Sequence, residues 1–310
     1  MSHKRYPPRP ELTGILNINK PKGPSSHDVV DAIRRAARVR RVGHAGTLDP
    51  LATGVLLVCL DQATRVSQYL MDSIKVYHAR IRLGQTTNTD DAEGQIVAQT
   101  PLPDHLEPSH IRQALADFVG QIEQVPPQYA AIKKNGAPLY KLARQGVAVE
   151  LPPRQVTIHT IDLLEWQPPH LVIDIRCGPG TYVRALARDL GARLGCGGHL
   201  SELVRTQSGH FAVQDAIELD DALGRLRQPD TGLENMLHPI DAALADLPCL
   251  RVDAETEKRL RQGQQIHGPA ATAVEQRRVY GPDGVLIAIV QYHARTGLWQ
   301  PHAVFDLRPS

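Results

Sequence analysis

Gly43-His-Ala-Gly-Thr-Leu-Asp49-Pro-Leu-Ala-Thr-Gly54-Val-Leu is the stretch on which the reading of this chain turns. Asp49 precedes a proline, which biases its backbone toward extended conformations. It lies in a loop rich in Gly and Thr, and the loop runs into Val55-Leu-Leu-Val-Cys-Leu60. That apolar run fits a buried strand, although periodicity alone does not separate it from a buried helix. A carboxylate placed this way can project from a rigid edge into a cleft and act on a ligand. It can equally close an Asx turn, the commoner use of Asp-Pro. Spacing alone leaves both readings open.

Outward from this loop the chain alternates strands and helices. On its N-terminal side, residues 1–10 read as an arm and Leu12 to Ile18 as a strand closed by Lys20-Pro-Lys-Gly-Pro. Ser25 or Ser26 can cap a helix from His27 to Ala37, with Val29, Val30 and Ile33 on one face. Arg34, Arg35, Arg38, Arg40 and Arg41 then crowd the helix end. Cations there suit the helix dipole, but their density also fits an anion-binding patch. On the C-terminal side a short helix is expected over 63–70. Lys75 to Leu83 alternates Tyr77, Ala79, Ile81 and Leu83 against Val76, His78, Arg80 and Arg82, a strand with one polar face. Gln85 to Gly94 reads as a solvated polar loop holding Asp90, Asp91 and Glu93. Helix is expected over 110–118 and 139–145, and strand with a turn over 126–136. Strands are expected over 156–165 and 171–177. Gly178-Pro-Gly-Thr opens a further helix with Leu186, Leu190 and Leu194 as its core stripe and Gly195 at its end. After Leu247 the pattern changes to short strands, two of them around Pro282-Asp-Gly and the last near 298–305.

Composition narrows the class. The 310 residues are 42% apolar and 22% charged, the balance of a globular chain, which rules out disorder as the main state. The longest apolar runs fall far short of the roughly 20 residues a bilayer needs. Met1-Ser-His-Lys-Arg-Tyr-Pro-Pro lacks the apolar core of a signal peptide. The four cysteines show no CxxC spacing, so a reduced, cytoplasmic thiol set is expected. Net charge is only +2, so an anionic partner must be met by a local patch. Aromatics make up 4%, which makes the core aliphatic and draws attention to Tyr77, Tyr129 and Tyr182 inside motif-like segments.

Several chemistries lack their signatures. Fourteen histidines include no HExxH or Cys–His zinc spacing, so no metal is expected. Gly178-Pro-Gly-Thr can present N–H groups at a helix start but lacks the GKS/T of a P-loop and the third glycine of a dinucleotide fingerprint. No Gly-x-Ser-x-Gly elbow appears.

The Asp49 stretch resembles the catalytic-aspartate motif of the TruB family, the tRNA pseudouridine-55 synthases. Four further segments resemble that family in order: Leu16-Asn-Ile-Asn-Lys-Pro-Lys-Gly-Pro-Ser-Ser, Lys75-Val-Tyr-His-Ala-Arg-Ile-Arg-Leu-Gly, Cys177-Gly-Pro-Gly-Thr-Tyr-Val-Arg-Ala-Leu-Ala-Arg-Asp-Leu-Gly, and Gly197-Gly-His-Leu-Ser-Glu-Leu-Val-Arg. The resemblance implies that Asp49 is the nucleophile, that Arg184 pairs with it, and that Tyr77 stacks on the target uracil. It further implies that Tyr182 and Leu203 line the base pocket, that His44 fills the space the extruded base leaves, and that Lys20 supports the site. Arg38, Arg40 and Arg41 would meet RNA phosphates. Val204 departs from the pattern, where a second basic residue is expected. A nucleophilic carboxylate must be ionised; a nearby guanidinium favours that form and burial opposes it.

The fold implied is mixed α/β: a largely antiparallel central sheet with flanking helices over residues 10–247, and a small PUA-like β domain over 248–310. The reaction implied is an isomerisation of uridine 55 in the T loop of tRNA, which needs no cofactor. A monomer acting on the tRNA T stem-loop in the cytoplasm, away from membranes, is expected. A non-catalytic RNA-binding or RNA-chaperone protein on the same fold is the alternative. Asp49 together with Tyr77 and Arg184 argues against it, because a pure binder has no need to bury a carboxylate beside RNA phosphates, where it would repel them. A glycoside hydrolase would need a second carboxylate flanking the bond.

Overall fold

The alternation of Lys75–Leu83 is realised as a strand in the middle of a ten-stranded sheet, with every odd-numbered residue buried. The structure is a computed structural model that describes residues 12–127, 133–134, 137–138, 151–228, 232–271 and 275–307. Along the chain run β1 (Gly14–Lys20), α1 (Ser26–Ala37), β2 (Val42–His44), β3 (Thr53–Leu60), α2 (Ser67–Asp72), β4 (Lys75–Leu83), β5 (Gln85–Thr87), β6 (Ile96–Gln99) and α3 (Pro108–Ala116). Then follow β7 (Gly120–Gln124), β8 (Lys133–Lys134), β9 (Ala137–Pro138), β10 (Arg154–Gln167), β11 (His170–Cys177), α4 (Val183–Arg193) and β12 (Gly198–Ser208). The chain closes with β13 (Phe211–Ala212), β14 (Ile217–Glu218), α5 (Leu219–Arg227), β15 (Cys249–Arg251), α6 (Ala254–Arg261), β16 (Gln276–Tyr280), β17 (Leu286–His293) and β18 (Leu298–Val304).

The main sheet has the order β14-β1-β3-β12-β4-β11-β10-β7, with β2 beside β3 and β13 beside β12. Pairing is antiparallel except for β1 with β14 and β3 with β12. The mixed, largely antiparallel sheet with flanking helices is therefore the observed architecture, with a second sheet β15-β16-β17-β18 after it.

Burial on both faces explains why Val55 to Leu60 reads as an unbroken apolar run. Leu56, Val58 and Leu60 face the core under α1, which contributes Val29, Val30 and Ile33. Val55, Leu57 and Cys59 face the other way, into a core completed by Leu286, Ile289 and Phe305 of the C-terminal segment. The second sheet therefore packs on the back of β1 and β3. Arg65 donates to the Val304 carbonyl and Tyr69 donates to Gln276 at 2.8 Å across the same junction.

Local differences from the expected elements have local causes. Ser25 takes the N-cap of α1, accepting from the Asp28 amide in a capping box, and Ser26 is left free for another use. The helix expected over 63–70 is a 3₁₀ turn, Asp61–Val66, followed by α2, because Val66 leaves the helical region at φ −102° and ψ 4°. Strands β5, β6 and β7 and helix α5 are too short or too polar for hydrophobic periodicity to reveal. The elements expected over 126–136 fall largely, and those over 139–145 wholly, outside the described residues. Among the described residues no helix is long and apolar enough to cross a membrane.

Phe305 is fully buried in the shared core. Phe305→Ala should destabilise the whole chain by about 3–5 kcal/mol, with one shifted unfolding transition in denaturant. A separate early transition that leaves the main sheet's midpoint in place would show that the two sheets do not share a core.

Candidate active site

The loop between β2 and β3 carries Asp49, and three anchors hold it. Ser26, displaced from capping duty, donates to the Leu48 carbonyl at 2.8 Å and accepts from the Leu48 amide at 2.7 Å. Lys20, fully buried at the end of β1, donates to the carbonyls of Ala52 at 2.7 Å and Pro21 at 2.9 Å. Arg205 of β12, 1% exposed, donates to the carbonyls of Val55 at 2.7 Å and Gly46 at 3.0 Å. Gly54 permits this approach: a Cβ there would stand 2.3 Å from the Arg205 carbonyl oxygen, and its φ of +96° is a glycine conformation. A loop so tied can hold a carboxylate in one place.

Asp49 meets Arg184, from the first turn of α4. The Arg184 Nε lies 2.9 Å from one carboxylate oxygen and Nη2 donates to the other at 3.2 Å. The same guanidinium reaches a second acid: Nη1 is 3.4 Å from Asp91 and donates to the Thr89 carbonyl at 3.1 Å. Arg184 is 5% exposed and the Asp49 side chain 34%, so the cation is sealed in while the carboxylate faces the cleft. Burial pushes the Asp49 carboxyl above its ordinary range, Arg184 pulls it down, and Asp91 pushes it up again. Burial prevails over the paired guanidinium here. Lys20 contributes through space, favouring the carboxylate, and burial lowers its own pKa to about 8.

Two cavities meet at Asp49. The inner one, of about 310 Å³, is lined by Asp49, Tyr77, Tyr182, Arg184, Leu203 and Arg205 among others. The outer one, of about 810 Å³, is lined by Ser25, His27, His44, Asp49, Asp91 and Arg184 among others. Tyr182 is set by Gln124 at the end of β7, whose amide accepts from the Tyr182 N–H at 2.8 Å and donates to its carbonyl at 3.1 Å. The Tyr77 ring is 9% exposed, and burial pushes its phenol up. Burial first, and Arg205 next, push His44 down, which keeps its imidazole neutral.

Asp49, Tyr77, Tyr182, Arg184 and Leu203 are thus brought around one cavity. His44 lies instead in the outer cavity, and Lys20 sits behind the loop as a donor to its backbone. Arg38, Arg40 and Arg41 line neither cavity. Arg38 is the left-handed C-cap of α1 at φ 58°, Arg40 is exposed, and Arg41 lies 3.8 Å from Asp61. Arg34 pairs with Asp31. Val204 points to the opposite face of the sheet, beside His78 and Arg80. The solvated reading of the Asp90–Glu93 loop is corrected. Asp91 is 4% exposed, accepts from Thr89 Oγ1 at 2.6 Å and serves Arg184, and Asp90 pairs with Arg188 at 3.0 Å. The loop is stitched to β12 by Ala92 N–H to the Leu200 carbonyl at 2.9 Å and by Leu200 N–H to the Asp90 carbonyl at 3.0 Å. Asp91, Arg205 and Gln124 escaped sequence reasoning. The signals available were two adjacent acids in a short loop ended by Gly94, and an arginine closing the Leu203-Val-Arg motif.

Arg184→Ala removes the group that favours the charged form of Asp49. Any activity that needs that carboxylate ionised should lose rate, and its acidic limb should move to higher pH. A pH–rate profile checks this, and an unmoved limb would separate the titration from Asp49. Arg184→Lys, which keeps charge without the planar fork, should also drop sharply.

Known proteins resemble this chain over most of its length. Residues 34–183 match the TruB family pseudouridylate synthase (N terminal domain), and residues 184–245 match the tRNA pseudouridylate synthase B C-terminal domain. A tRNA pseudouridine synthase B of Syntrophotalea carbinolica is 49% identical over 252 residues, 81% of this chain and 81% of that protein. The tRNA pseudouridine synthase B of Cupriavidus metallidurans is 43% identical over 310 residues, 97% of this chain and 96% of that protein. The fold is similar to a chain in the structure of an H/ACA RNP bound to a substrate RNA containing 2'-deoxyuridine. The TM-score is 0.71 at 23% identity, over 99% of this chain and 92% of that chain. The chain belongs to the TruB family of pseudouridylate synthases.

Proposed function

We propose that this isomerase converts uridine 55 in the T loop of tRNA to pseudouridine, with Asp49 as the nucleophile acting on a base turned out of its stack. The observation that carries the reading is the Asp49 carboxylate on the wall of a cavity at the small end of ligand pockets, a wall it shares with Tyr77, and paired with a buried Arg184. Relatives named tRNA pseudouridine synthase B support tRNA as the substrate.

The chemistry asks for what the cavity offers. A C–N glycosidic bond is broken, the base turns, and a C–C bond closes. Atoms are conserved, so neither electrons nor phosphate need be supplied. An aromatic face such as that of Tyr77 can hold a flipped base, and Tyr182 and Leu203 can close the pocket around it. His44, neutral and in the outer cavity, suits the space that the base vacates. Lys20 holds the loop. Asp49, Tyr77 and Arg184 come from one chain, which supports action as a monomer, and we assign that action to the cytoplasm, where tRNA is found. Residues 248–310 would act as the PUA-like RNA-binding part, Arg251 and Arg278 flanking Tyr280 there. Arg38, Arg40 and Arg41 would meet backbone phosphates of the T stem.

Asp49→Asn keeps the side chain's size and removes its charge. Conversion of uridine in a tRNA transcript should fall by at least roughly a thousandfold while tRNA binding stays near that of the unaltered chain. Substantial residual conversion would exclude Asp49 as nucleophile. Arg38→Ala with Arg40→Ala should reduce the log–log salt slope of tRNA binding by roughly 0.7–0.9 for each phosphate that is no longer neutralised. An unchanged slope would remove these arginines from the interface.

A further inference from the structure

Arg205 presents a physical anomaly. A buried guanidinium normally pairs with a carboxylate, because an isolated charge away from water is strongly disfavoured. Arg205 is 1% exposed, yet its partners are neutral: the carbonyls of Val55, Gly46 and, at 3.5 Å, Thr47, together with the Tyr77 hydroxyl. Among the described residues no carboxylate pairs with it. Lys75 repeats the pattern. It is 5% exposed, and its ammonium donates to the carbonyls of Ser73 at 2.6 Å and Leu70 at 3.1 Å and to that of Met71. Asp72, the acid that favours its charged form, is itself exposed to solvent. Both cations line the inner cavity. The third cation on its wall, Arg184, is already balanced by Asp49 and Asp91. Asp72 lines the cavity as well, so three cations meet three acids while the Asp49 carboxylate is free. Once Asp49 is bonded through that carboxylate, Lys75, Arg184 and Arg205 face only Asp72 and Asp91, and one positive charge is in excess, held by backbone oxygens that cannot move to neutralise it.

Pinning the loop does not account for this, since a neutral donor could hold carbonyls without burying charge. An excess of fixed positive charge suits a site in which negative charge develops on the ligand. On the basis of the proposed uridine isomerisation, we propose that Arg205, with Lys75, stabilises the detached pyrimidine as an anion. In that step the C1′–N1 bond breaks with its electron pair left on the base, while C1′ bonds a carboxylate oxygen of Asp49. After the base turns, its C5 displaces the carboxylate from C1′, and the adduct exchanges its C5 proton for one at N1. The anion exists only between the two bonds, so the cations act on the intermediate more than on the neutral bound nucleoside.

The test uses the full chain carrying Asp49→Asn, which removes the carboxylate charge as bonding to C1′ does, and a T-arm RNA that is abasic at the target nucleotide, leaving the base cavity open. Uracil and barbiturate, a related pyrimidine that is anionic at neutral pH, are titrated into this complex. The Asp49→Asn chain should prefer barbiturate by roughly tenfold or more. Arg205→Met added to it should lose most of that preference and Arg205→Lys should keep part of it. Equal affinity for both rings in a folded Asp49→Asn chain overturns the inference. A folded Arg205→Met, checked by its melting curve, that weakens both rings equally also overturns it, because it would then only hold the loop. Conversion of the uridine-bearing T arm by the unaltered chain is measured in parallel. Its absence defeats the functional reading and with it this inference, whereas normal conversion with no barbiturate preference defeats the inference alone.

Discussion

One guanidinium shared between two carboxylates governs the geometry of this site. Arg184 is sealed from solvent, and a sealed cation left unpaired would be strongly destabilising. It therefore draws both Asp49 and Asp91 to itself, and each acid needs its own segment held in place. For Asp91 this means a short loop folded back against β12, so tight that a Cβ at Gly94 would come within 2.2 Å of Thr89 Oγ1. For Arg184 it means a fixed start to α4, which Gln124 supplies through the Tyr182 backbone, while Arg188 one turn later ties Asp90 and the Val125 carbonyl. The pair is thus the point at which β7, α4, the acidic loop and the Asp49 loop converge.

The Asp49 loop is held differently, by cations donating to carbonyls. Lys20 and Arg205 commit charged donors to neutral acceptors, a poor arrangement for stability. Lys20 shows the direction of the penalty. Its folded pKa of about 8 lies below the ordinary 10.5, so the unfolded chain holds this proton more tightly. The penalty is present in full below about pH 8 and is relieved as pH rises from there toward the unfolded value. Departures of this kind from ordinary core chemistry are expected where function sets the terms. On the proposed reading Lys20 fixes a carboxylate that has to stand at one point beside a polynucleotide, while Arg205 holds the same loop and also brings its charge to the cavity.

How much of this was legible in the sequence depended on how local the cause was. The β4 alternation, the capping serine of α1 and the doubly buried run of β3 are written in neighbouring residues, and periodicity reads them. Helix α5 was not legible: its acids Asp220 and Asp221 and its buried Ala222, Leu223 and Leu226 are crowded into nine residues, too few for periodicity to show. The convergence of Asp49, Tyr77 and Arg184 is not local: 135 residues separate the first from the last. Ordered motifs of a known family bring those three together; periodicity cannot. Asp91 and Arg205 are harder still. An acidic pair in a polar loop looks solvated unless the arginine it serves is known to be buried. An arginine on a strand looks exposed unless its neighbour strand approaches through a glycine such as Gly54.

Asp49 also divides two spaces of different character. The inner cavity is walled by rings and floored by charge; the outer one holds the α1 N-terminus, a neutral His44 and the acids of the 88–94 loop. RNA phosphates would be repelled by Glu93, exposed at the outer rim, while uncharged nucleobases would not. On the proposed reading this polarity sorts the substrate: bases enter and ribose follows. The backbone is turned outward, toward basic surfaces such as the end of α1. The acidic loop then has two consequences from one position. It balances Arg184 from beneath, and from above it keeps phosphate away from the carboxylate that must reach the sugar.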